Sequence, residues 1–82
     1  MAQQFTQQNI KVRTSVLVFI KGSSAPLVLY LDNPQEFYNE LNQLMKSPNV
    51  TFIEKELSGP LKSVCFASNQ ISAIALQEEQ YV

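Results

Sequence analysis

The sequence predicts an α+β domain: a mainly antiparallel sheet of four to five strands with one helix packed on one face, in the order β-β-α-β-β followed by a further β. Three observations carry it. Residues 10–21 are dominated by β-branched side chains at a period of two. A single stretch with helical spacing lies between Asn33-Pro34 and Pro48. Short turn signals on either side of that stretch favour hairpins over long crossovers.

In residues 10–21, Ile10, Val12, Thr14, Val16, Val18 and Ile20 share one face. It is almost purely apolar and is expected to meet the core. Lys11, Arg13, Ser15, Leu17, Phe19 and Lys21 share the other, which is polar at its ends and apolar in the middle. Gly22-Ser23-Ser24-Ala25-Pro26 reads as a turn. Leu27–Leu31 follows as a second strand, with Leu27, Leu29 and Leu31 on one face and Val28 and Tyr30 on the other.

The helix is the most sharply marked element. Asn33 is placed to cap it, and Pro34 at the first helical position loses no needed donor. Glu36 favours the positive helix start. Phe37, Leu41, Leu44 and Met45 form the apolar stripe, and Pro48 ends the pattern.

Residues 50–57 read as a third strand, with Phe52 and Ile53 forced to opposite faces. Ser58-Gly59-Pro60 is a turn, and residues 61–67 a fourth strand with Val64 and Phe66 together. After Ser68-Asn69-Gln70, residues 71–76 are expected to form a fifth, entered through a bend or one helical turn. The domain is expected to span residues 10–77, between a flexible polar N-terminus (1–9) and a polar C-terminal tail (78–82). Its core is expected to hold Val12, Val16, Val18, Ile20, Leu29, Leu31, Phe37, Leu41, Leu44, Val64 and Phe66.

Composition narrows the function. The 82 residues carry a net charge of −1 and 45% hydrophobic residues, enough for one modest core. The absence of histidine removes the commonest general base and the commonest neutral metal ligand. The single thiol, Cys65, sits between Val64 and Phe66 and reads as a small buried or half-buried hydrophobe of the strand. One cysteine allows no internal disulfide, which suits a reducing compartment. The carboxylate pairs Glu36/Glu40, Glu54/Glu56 and Glu78/Glu79 read as solvated charge, and Gly22 and Gly59 belong to turns, not to a phosphate loop. No catalytic residue, cofactor or metal is therefore expected, and the chain is read as not an enzyme. No apolar run approaches the ~20 residues of a membrane helix. The polar opening lacks a signal-peptide pattern, so a cytoplasmic location without membrane attachment is expected.

One face of the sheet is less bland. A single helix covers one side only, yet Leu17, Phe19, Val28 and Tyr30, with one of Phe52 and Ile53, would give the other side an apolar centre. These first four residues are the candidate interface of a homo-oligomer, a dimer being favoured, or of a subunit or adaptor that meets another protein. A different class of function is single-strand nucleic-acid binding, with Phe19 and Tyr30 stacking bases and Lys11, Arg13 and Lys21 meeting phosphates. Only three cations and a pI of about 5.2 argue against it. A third possibility is that the N-terminal residues, the last strand or the tail fold back over this face.

Overall fold

The computed structural model describes residues 11–81. The expected flexible terminus, residues 1–9, and Ile10 at the predicted start of the first strand lie outside them. The fold is α+β, with one helix and five strands in two antiparallel sheets. Strand β1 (Lys11–Ile20) turns back into β2 (Leu27–Tyr30), and helix α1 (Pro34–Lys46) follows. Strands β3 (Phe52–Glu56) and β4 (Ser63–Ala67) form a hairpin. A single 3-10 turn (Ser68–Gln70) then leads into β5 (Ile71–Tyr81).

The β1–β2 connection obeys its sequence. The Ser23 N–H donates to the Ile20 carbonyl at 3.0 Å, and Gly22 sits at φ 81°. A tight turn with a left-handed third position needs that conformation, which a side chain would strain. Pairing sets Leu17 opposite Val28 and Val16 opposite Leu29, so the leucines share the Val16/Val18 face as their spacing predicts.

The helix begins at Pro34 as read, but Asn33 makes no side-chain cap bond. Its backbone carbonyl instead accepts the first helical bond from the Phe37 N–H at 3.1 Å. Glu36 in the first turn and Lys46 in the last suit the helix dipole. The chain leaves the helix at extended Ser47, the conformation a residue before proline prefers.

The single sheet expected from sequence is two. Strand order is β2-β1-β5 in the larger and β3-β4 in the smaller. Helix α1 and the hairpin lie on the same side of the larger sheet and close one core of Val16, Val18, Leu29, Phe37, Leu41, Ile53 and Ile71. Ile20, Leu31, Leu44, Val64 and Phe66 pack around it, half-buried. Val12 does not join them and is 48% exposed. It has the right facing, but it lies near the start of β1 opposite Gln80, beyond the core. Ile53 and Ile71 are core members that the predicted list lacks.

Because β3 belongs to the hairpin, neither Phe52 nor Ile53 joins the outer face of the larger sheet. Ile53 points into the core, and Phe52 is 75% exposed on the far side of the hairpin. The hairpin base is clamped to the 3-10 turn. Ser68 N–H donates to the Thr51 carbonyl at 2.8 Å, while Thr51 N–H donates to Ser68 Oγ at 2.9 Å. That exchange satisfies the polar groups of a buried serine. The expected polar tail is also revised. Strand β5 runs on through Glu78, Glu79 and Gln80 to Tyr81, paired along the whole outer half of β1. Charge alone marks these residues as exposed, but their backbone bonds to β1 hold them in the sheet.

Candidate functional site

The face of the larger sheet turned away from α1 carries the candidate residues. Alternation along β1 puts Arg13, Ser15, Leu17 and Phe19 there. Register adds Val28 and Tyr30 from β2, opposite Leu17 and Ser15. It adds Ala73, Ala75, Gln77 and Glu79 from β5, opposite Phe19, Leu17, Ser15 and Arg13. Leu17, Phe19, Val28 and Ala75 are half-buried and Ala73 is exposed, so they form an apolar band across all three strands. No described element folds back across it. The two alanines were missed because the facing of the fifth strand depends on a bulge between Phe19 and Ile20. The extra residue there is Ser72, whose hydroxyl donates to the Phe19 carbonyl at 3.0 Å.

The apolar band continues around the β2 edge. Pro26, Leu27, Val28, Tyr30, Pro60 and Leu61 line a shallow groove of about 460 Å³. Leu61 is 39% exposed on its rim.

Toward the other end of the face lies a polar cluster. The Tyr30 hydroxyl donates to Glu79 Oε1 at 2.7 Å, and Arg13 Nε approaches the same oxygen at 3.4 Å. The Arg13 guanidinium lies 3.9 Å from the Tyr30 ring centre, a cation–π contact. On the open edge of β2, Ser58 donates to the Tyr30 carbonyl through its N–H at 2.8 Å and its hydroxyl at 3.1 Å. Next to this cluster Ser15 is fully buried, and among the described residues its hydroxyl finds no partner. A buried hydroxyl without a partner is a net cost.

The hydrogen bond to Glu79 holds the Tyr30 phenol above its ordinary 10.0, with desolvation adding to it and the Arg13 charge opposing. A raised value in the fold means the neutral phenol is favoured there. Its contribution is present below the unfolded value and is lost as pH rises through the folded one. Glu79→Ala removes the largest cause, the acceptor of the phenol's hydrogen bond. The phenolate absorbance of Tyr30 is then expected to appear at lower pH than in the wild type, and an unmoved titration would show that Glu79 is not the cause.

The cations of the nucleic-acid reading are not brought together. Arg13 is engaged with Tyr30 and Glu79. Lys11 and Lys21 are exposed at opposite ends of β1, roughly 33 Å apart at strand rise. The carboxylates of Glu36, Glu40, Glu54 and Glu56 are all exposed, and strand alternation sends Glu78 and Glu79 to opposite faces. Among the described residues no group of three or more potential metal ligands occurs, and no helix is long and apolar enough to cross a membrane. No family model matches the chain, and neither a curated protein nor a solved structure shows significant similarity to it.

Proposed function

We propose that this is a non-catalytic association domain whose first partner is a second copy of itself, held through the outer face of the β2-β1-β5 sheet. One observation carries the reading: Leu17, Phe19, Val28, Ala73 and Ala75 form an apolar band on a sheet face that neither α1 nor the hairpin covers. Contiguous apolar surface of this kind marks association. The band is flanked by a satisfied polar cluster at Arg13, Tyr30 and Glu79, matching the apolar centre and polar rim of protein interfaces. A reducing, cytoplasmic setting fits an exposed Cys65 in a chain with no second cysteine.

Light scattering across a concentration series tests it. The wild type is expected to be at least a dimer at micromolar concentration. Phe19→Glu is expected to weaken association at least about 30-fold, the effect of losing a central aromatic anchor worth ~2 kcal/mol, and to leave a folded monomer. A wild type that stays monomeric at high concentration refutes the proposal. Nucleic-acid binding is the weaker reading because Tyr30 and Arg13 are engaged with each other. Salt-sensitive retardation of a single-stranded oligonucleotide, abolished by Lys11→Glu and Lys21→Glu, would favour it instead.

A further inference from the structure

We draw no further inference here: the strongest candidate, the shallow apolar groove along the β2 edge lined by Pro26, Leu27, Val28, Tyr30, Pro60 and Leu61, carries nothing because nothing in the structure shows what covers it.

Discussion

Phe37→Ala is expected to cost about 3–5 kcal/mol, the range for truncating a buried phenylalanine. Phe37 is 2% exposed, the largest side chain in the core. It lies in the first turn of α1 and shares one core cluster with Val16 and Val18 of β1 and Ile71 of β5, and Lys55 Nζ of the hairpin lies 5.1 Å from its ring centre. The ring therefore joins three parts of the fold, and a cavity there has no single neighbour able to collapse into it. A domain of this length has a total stability of roughly 4–12 kcal/mol, so the variant is expected to be largely unfolded or on the edge of it. Urea denaturation followed by circular dichroism measures this. Asn39→Ala, on the exposed side of the same helix, serves as the control and is expected to stay within about 0.5 kcal/mol of wild type. A midpoint for Phe37→Ala equal to that of the control would mean the core is not where the fold places it.

Gly59→Ala is the second large effect, expected at about 1–3 kcal/mol, the usual cost of forcing extra volume into a packed site. A β-carbon at Gly59 would overlap Tyr30 Cδ2 and stand 3.0 Å from Tyr30 Cβ and Cγ. These atoms lie close to the backbone of β2, so no swing of a flexible tip relieves the clash. Either the loop that carries Ser58 and Gly59 lifts off the β2 edge, or the Tyr30 ring moves away from Arg13 and Glu79. A melting point lower by roughly 5–20 °C is expected for a domain of this size. The Tyr30 titration should move toward its ordinary value if the ring is what gives. A variant as stable as wild type would contradict the close packing of this loop on the strand.

The residues of the outer face were legible for two strands and illegible for the third. Leu17, Phe19, Val28 and Tyr30 follow from alternation once a short turn implies a hairpin, because both the period and the turn are local. Ala73 and Ala75 depend on a bulge whose only sequence trace is Ser72, one polar residue among small ones. Glu79 looked like tail charge. Its role as acceptor for Tyr30, 49 positions away, depends on the β1–β5 register, and alternation does not encode which strand lies beside which. Val12 shows the converse limit: period predicts facing, but not how far the covering helix reaches.

Sequence alone determined the class of the fold, the bounds of the helix and the facing of the first hairpin. Each rests on spacing within a few residues: 3.6 for α1 and two for β1 and β2, punctuated by Gly22, Pro34 and Pro48. Tertiary structure decided the division into two sheets, the inward turn of Ile53 over Phe52, and the extension of β5 through its glutamates. It also decided which apolar surface neither α1 nor the hairpin covers. These outcomes depend on pairings between segments far apart in the chain. There, the backbone bonds of a whole strand and the burial of a shared core outweigh the preference of any single residue.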